Sequence, residues 1–389
     1  AMRGAAQDPV PALLEYIPYR KNDFTALRDS VRHRYFAGHG YGSVRVDMRG
    51  SGDSDGVLLD EYLLQEQDDA LEVIAWLAAQ PWCTGHVGMF GKSWGGFSAL
   101  QVAARRPPAL KAIISLCSTD DRFETDIHYC GGLHMAADHV SWSAYMLAFN
   151  ARPPDPAVVG DSWRRKWLER LENTPPYLAT WLRHQTKDEY WMHGSVCHDF
   201  AAIQCPVMAV SGWADGYPDS VFRLLHGLRA PCLGIIGPWA HEYPEVATPG
   251  PAIGFLQEAL RWWQQWLKGR DSRDTGIMQE PVLRAYVQES AQAQHQHQHR
   301  RGHWVGVRRL DLLRQADSYA RQAPLISQQI SEAGAPGVAG RGLEIPGFQY
   351  CGMHAGVWCN FGGQGDFASE QREDDGLSAC FDAAPISGA

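Results

Sequence analysis

No apolar stretch in this 389-residue chain approaches the roughly 20 residues that a bilayer-spanning helix needs. The longest runs, such as Ala112 to Leu116, are strand-length, so no membrane association is expected. A basic block is also missing. The net charge is −9 and the isoelectric point is near 6.0, which argues against nucleic acid as a partner. No Cys-x-x-Cys occurs among the nine scattered cysteines, and an odd number does not suggest a disulfide scaffold. Cys117, Cys205 and Cys232 lie within or beside apolar runs and read as buried thiols. With no leader pattern in the opening residues, a reducing, cytoplasmic location is the expectation.

What the chain has instead is aromatic residues and a motif. There are 15 Trp and 14 Tyr, and 45% of the residues are hydrophobic, enough for a large core and more than one domain. Residues 91 to 96 read Gly-Lys-Ser-Trp-Gly-Gly, after the apolar run Val87 to Phe90 and before a helical pattern from Phe97 to Ala104. Strand, sharp turn and helix with serine at the apex make a nucleophile elbow, Gly-x-Ser-x-Gly. Gly91 and Gly95 suit a turn too tight for a β-carbon. The apex lifts the Ser93 hydroxyl clear of the sheet, and the Trp94 N–H points to where an oxyanion would develop. Gly91-Lys92-Ser93 is also the tail of a phosphate-binding loop, but that loop needs glycine at position 86, where His86 stands.

Strand-length runs alternate with helical patterns along much of the chain: 12–17, 43–46, 87–90, 111–116, 207–210 and 233–236 as strands, 60–80 and 254–269 as helices. That alternation predicts an α/β fold with a mostly parallel, doubly wound sheet. Residues 119–203 break the rhythm, with helical patterns at 139–149 and 162–172 and no clear central strand, and read as a helical insertion capping the site. From about residue 275 the chain becomes short, turn-rich and β-like. His295, His297 and His299 alternate with Gln there and read as an exposed polar loop rather than a metal site.

A serine nucleophile needs a base and a group to orient it. Two late strands each run into a candidate: Val207 to Val210 into Ser211-Gly212-Trp213-Ala214-Asp215-Gly216, and Leu233 to Ile236 into Gly237-Pro238-Trp239-Ala240-His241. Sites in such sheets lie beyond the carboxyl ends of the strands, and the order serine, acid, histidine is that of α/β-hydrolases. Ser93, Asp215 and His241 are the predicted catalytic residues, with no metal and no cofactor required. Trp213, Tyr217 and Trp239 flank them as candidate pocket residues.

The ordered set Ile17-Pro18-Tyr19-Arg20-Lys21, Asp47-Met48-Arg49-Gly50-Ser51-Gly52, Gly91 to Gly96, Gly212 to Gly216 and Gly237 to His241 resembles the cocaine esterase / X-prolyl dipeptidyl-peptidase family of CocE/NonD-type serine hydrolases. The resemblance implies an α/β-hydrolase core at 1–118 and 204–274, a cap at 119–203 and a partial jelly-roll-like β domain at 275–389. It also implies a second oxyanion donor, the Tyr19 hydroxyl, beside the Trp94 N–H. Lys92 is expected to point away from the nucleophile. The implied substrates are small esters, acyl amides or short peptides, and a homodimer is compatible with the sequence. Exopeptidases and amino-ester hydrolases need carboxylates to hold a substrate ammonium, and Asp120, Asp121, Glu124 and Asp126 are candidates. They read instead as a solvated acidic turn, so ester or acyl-amide hydrolysis is the expectation. The alternatives are an X-prolyl dipeptidyl-peptidase or amino-ester hydrolase, a catalytically silent binding protein, and an acyltransferase.

Overall fold

A computed structural model describes residues 8–268, 275–308 and 352–376. The first part alternates strand and helix: β1 (Val10–Ile17), α1 (Ala26–Gly38), β2 (Gly42–Asp47), α2 (Leu64–Ala78), β3 (Cys83–Lys92), α3 (Trp94–Ala104) and β4 (Leu110–Leu116). After an insertion the pattern resumes with β7 (Val207–Gly212), α9 (Pro218–Gly227), β8 (Cys232–Gly237), α10 (Phe255–Leu267), β9 (Leu283–Gln288) and β10 (Gly302–Val307). These strands form one eight-stranded sheet in the order β10-β9-β8-β7-β4-β3-β1-β2. All neighbours are parallel except β9 and β10. With structural neighbours described below, this is an α/β-hydrolase core.

Central strands are buried on both faces, which is why β4 and β7 read as unbroken apolar runs rather than alternating ones. Helix α10 covers one face. Its buried residues Phe255, Leu256, Ala259, Trp262, Trp263 and Leu267 follow helical spacing. Each large side chain buried this way stabilises the fold by about 1.5–3 kcal/mol. Gly88 in β3 is what admits Trp263: a β-carbon there would stand 2.8 Å from the indole. Helix α3, buried along nearly its whole length, lies under the insertion on the other face.

The insertion holds a two-residue-per-strand hairpin, β5 (Tyr129–Cys130) and β6 (Leu133–His134), and helices α4 (Ala136–Asn150), α5 (Pro156–Val159), α6 (Trp163–Asn173), α7 (Tyr177–Trp181) and α8 (Glu189–Met192). Buried polar pairs dock it on the core. Trp181 Nε1 and the Tyr190 hydroxyl donate to Asp60 at 2.9 and 2.8 Å. Arg170 donates to the Gly52 carbonyl at 2.8 Å. His128 is fully buried between Glu61 and Asp126, at 2.9 and 2.8 Å. Burial pulls its pKa down, but the two carboxylates outweigh that and bring it up to about 9.

One boundary differs from the sequence reading. Strands β9 and β10 fall in the span expected to be a separate C-terminal domain, yet β9 pairs with β8 from Gly234↔Leu283 to Ile236↔Ala285. The core sheet therefore continues past residue 274. The jelly-roll expectation otherwise falls mostly on residues outside those described. Residues 352–376 are turns ending in a short helix, Arg372–Gly376, and they run back to the rim of the main sheet. Among the described residues no helix is long and apolar enough to cross a membrane. Of the three cysteines read as buried, Cys117 is buried while Cys205 and Cys232 are half-buried.

Candidate active site

Every candidate residue sits just past the carboxyl end of a parallel strand: Tyr19 after β1, Ser93 after β3, Asp215 after β7 and His241 after β8. Ser93 has φ 58° and ψ −127°, outside the range comfortable for a side-chain-bearing residue. Such backbone costs on the order of 1–3 kcal/mol and persists only where the surroundings enforce it. Here the Ser93 N–H donates to the Leu116 carbonyl at 2.9 Å, and its own carbonyl accepts from the Gly96 N–H at 2.7 Å. The flanking glycines are obligatory. A β-carbon on Gly91 would meet the Gly95 backbone at 2.6 Å, and one on Gly95 would meet Ile17 at 2.9 Å.

Asp215 and His241 are both buried, with Asp215 Oδ1 2.7 Å from His241 Nδ1. The same carboxylate accepts from the Ser211 hydroxyl at 2.6 Å and the Gly216 N–H at 2.8 Å. Burial pushes the Asp215 pKa up, but His241 and these donors prevail and hold it below the usual carboxylate range. The pair thus fixes the tautomer that leaves Nε2 free to accept a proton. Cys117, at the end of β4, adds a third donor atom to this pair, all within 4.8 Å of one another. Among the described residues this is the one cluster spaced to hold a metal ion. Two of its members are already committed to each other by the 2.7 Å bond, and burial holds the thiol well above its usual pKa.

The Tyr19 hydroxyl and the Trp94 N–H converge, 3.4 Å apart. Burial raises the Tyr19 pKa, against opposing hydrogen bonds with Ser93 and the Trp94 N–H, so the phenol stays protonated and able to donate. The paired motifs of the sequence explain how Tyr19 is placed. Lys21 Nζ bridges Asp47 at 2.9 Å and Asp53 at 2.8 Å, and the Lys21 N–H donates to Asp47 at 2.7 Å. The loop after β1 is thereby locked to the loop after β2. The Trp94 indole and Ser98 donate to the buried Glu66 at 2.7 and 2.9 Å, anchoring the helix that starts at the elbow.

Lys92 does turn away from the nucleophile. Its ammonium donates to the His241 carbonyl at 2.9 Å and pairs with Glu242 at 3.1 Å.

The pocket candidates separate. Tyr217 is buried against His241 and Phe97, with ring centroids 5.8 and 5.6 Å away. Trp213 is half out in solvent and, with Asp215, lines a cavity of about 370 Å³. Trp239 is core instead: its ring fills the space that Gly237 leaves, its backbone lies against Gly212, and its indole donates to the Pro251 carbonyl at 2.8 Å.

The acids are not a solvated turn. Asp120, Asp121 and Asp126 are buried, and Glu124 alone is exposed. Asp120 pairs with Arg223 at 2.6 Å, Asp121 with Lys187 at 2.7 Å and Asp126 with His128. Burial without a partner would be prohibitive, so each acid that went inside took a cation with it.

Sequence reasoning missed two sets of site residues. Trp142, from the cap, packs on Tyr19 and Trp94, both with centroids 6.4 Å away, and donates to Glu61. From the other side, the Asn360 carbonyl accepts from the His241 N–H at 2.6 Å, and Phe361 meets its ring edge-on at 5.2 Å. Trp358 lies against Tyr217 at 5.1 Å. The cluster Trp358-Cys359-Asn360-Phe361 in an otherwise polar, turn-rich tail was the available signal.

Residues 3–243 match the model of the X-Pro dipeptidyl-peptidase (S15) family. The chain belongs to that family. It is 28% identical to the cocaine esterase of a Rhodococcus species, over 62% of this chain and 46% of the relative. It is 38% identical to a Mycobacterium bovis protein whose name offers it as a candidate serine esterase, over 66% of this chain and 48% of the relative. The chain therefore spans about half the length of the curated relatives it matches. In structure it resembles a CocE/NonD family hydrolase from Staphylococcus aureus, with a TM-score of 0.57 at 17% identity, covering 78% of this chain and 51% of that one. At that identity the likeness speaks for the fold alone.

Proposed function

We propose that this chain carries the catalytic core of a serine hydrolase that cleaves ester or acyl-amide bonds through an acyl-enzyme. The observation that carries the reading is the placement of a strained Ser93 apex and a His241 imidazole oriented by Asp215 just past the carboxyl ends of strands of one sheet, with the Tyr19 hydroxyl against both Ser93 and the Trp94 N–H. His241 Nε2 takes the proton as Ser93 Oγ attacks the carbonyl carbon. Asp215 stabilises the imidazolium, and the two donors hold the tetrahedral oxyanion. His241 returns the proton to the leaving alcohol or amine. Water then attacks the acyl-enzyme by the same route and frees the acid.

For the substrate class, the paired state of the cap acids supports esters or acyl amides over substrates read by a free ammonium. Asp120, Asp121 and Asp126 already face Arg223, Lys187 and His128. An ammonium would have to displace a built-in cation to bind. The names of relatives span both classes, a cocaine esterase and, at 27% identity, a Streptomyces avermitilis protein named for Xaa-Pro dipeptidyl-peptidase activity. A panel of p-nitrophenyl esters and aminoacyl-p-nitroanilides tests the reading, with fluorophosphonate labelling of the chain and of Ser93→Ala alongside. Ester turnover and labelling that both vanish in Ser93→Ala are expected. Label that persists in that variant refutes the nucleophile. A strict requirement for a free α-amine overturns the substrate class.

A further inference from the structure

We propose that Lys92 is a positioning residue for His241, tying the histidine loop to the strand that carries the nucleophile; this rests on the serine-hydrolase reading above. Lys92 precedes Ser93 by one residue, and its side chain is 5% exposed. Both hydrogen-bond partners of its ammonium are on the histidine loop, the His241 carbonyl at 2.9 Å and Glu242 Oε1 at 3.1 Å. A buried ammonium without partners is strongly unfavourable. If the loop lifts, Lys92 loses both at once, so its desolvation holds the loop down. The Asn360 carbonyl holds the His241 N–H as well, at 2.6 Å. The imidazole is thus set relative to Ser93 by a short path, from β3 through Lys92 to the His241 backbone.

The charge matters as well as the grip. Around His241 stand Asp215 from the β7 end, Glu242 on its own loop, Lys92 from β3, and the Cys117 and Cys359 thiols, each of which burial holds well above its usual pKa. Arg28 of α1 reaches the far oxygen of Glu242 at 3.7 Å. Tyr217 and Phe361 supply uncharged ring contacts. Among the described residues Lys92 is therefore the nearer of the two cations that balance Glu242, the residue that follows His241. Removing Lys92 leaves an uncompensated negative charge on the histidine loop, and negative charge favours the protonated form of a nearby base.

The test is kinetic, on the full chain with a p-nitrophenyl ester, comparing wild type, Lys92→Met and Lys92→Met/Glu242→Gln. Lys92→Met is expected to lower kcat by about ten- to a hundredfold with little change in KM, the size of effect a small misplacement of a catalytic group produces. The acid limb of its kcat/KM profile should move up by about half a pH unit or more. Adding Glu242→Gln should return the limb to its wild-type position but leave kcat low, because the grip on the His241 carbonyl is still missing. A merely space-filling lysine would not move the limb, and its effect would not split this way. Unchanged kcat in Lys92→Met overturns the proposal, and so does a limb that stays put or full recovery of kcat in the double variant. If the unpaired Glu242 prevents Lys92→Met from folding, the double variant, with both charges removed, still decides through its kcat. Fluorophosphonate labelling separates the two ideas: an unlabelled wild-type chain sinks the hydrolase reading, while a labelled chain indifferent to Lys92 sinks only the positioning role.

Discussion

Tyr19→Phe is the sharpest probe of the proposed oxyanion site, because the substitution should disturb the ground state little. The ring is buried against Phe149, with centroids 5.7 Å apart, and against Trp142 at 6.4 Å. Phenylalanine fills the same socket, so packing is kept. The hydroxyl bonds with Ser93 and meets the Trp94 N–H at 3.4 Å, the latter longer than a good hydrogen bond. Little stability goes with it, about 1 kcal/mol or less. In the proposed transition state the count differs: the variant leaves one donor of two as charge develops on oxygen. Losing one such donor costs about 2.7–4 kcal/mol, a hundred- to thousandfold in kcat. KM should hardly move, since the bond strengthens only as the carbonyl becomes an oxyanion. Stopped-flow acylation with a p-nitrophenyl ester measures this directly, and the burst confirms that chemistry is being followed. An acylation rate within about threefold of wild type refutes the assignment. Tyr19 would then be a packing residue, and the second donor would have to come from elsewhere.

Two further outcomes follow from buried carboxylates. Burial pushes the Glu66 pKa up from 4.5 to about 7, against hydrogen bonds from Trp94 and Ser98. A folded-state value above the unfolded one means stability that is complete below about pH 4.5 and is lost as pH rises through about 7. The ceiling is about 3 kcal/mol, so Glu66→Gln should flatten the fall of Tm between those limits, and an unaltered slope refutes the account. Among the cap acids, Asp121→Asn should change kcat/KM for an N-acylated ester by less than about tenfold. Asp120→Asn, which strands part of the Arg223 charge, should instead lower Tm, and a large loss of kcat/KM at normal Tm would return these acids to the substrate site.

The core was legible where one physical requirement leaves a local mark. A strand buried on both faces must be apolar throughout, and β3, β4, β7 and β8 were found within a few residues of their ends. A turn without room for a β-carbon must be glycine, and Gly91 and Gly95 marked the elbow. Helix α1 went unread because its buried residues, Asp29, Arg32 and Phe36, include two charges. Its inner face is an ion-pair network reaching Arg45 and Glu245, and no apolar period announces that.

The acids after β4 failed for a related reason. Four acids in seven residues look solvated when their partners are out of view. Arg223 lies 103 positions from Asp120, and Lys187 lies 66 from Asp121. Charge runs report exposure only when the compensating charges are local. Once the chain has folded, a distant cation can turn the same run into a docking surface for the cap. The site itself shows both regimes. The strand-end positions of Ser93, Asp215 and His241 could be read because each follows its own strand. The contacts that fix the histidine could not: one comes from Lys92, on the nucleophile's strand, and the other from Asn360, more than a hundred residues downstream. Placing a side chain at a strand end takes local sequence, whereas holding it there takes whatever the fold brings alongside.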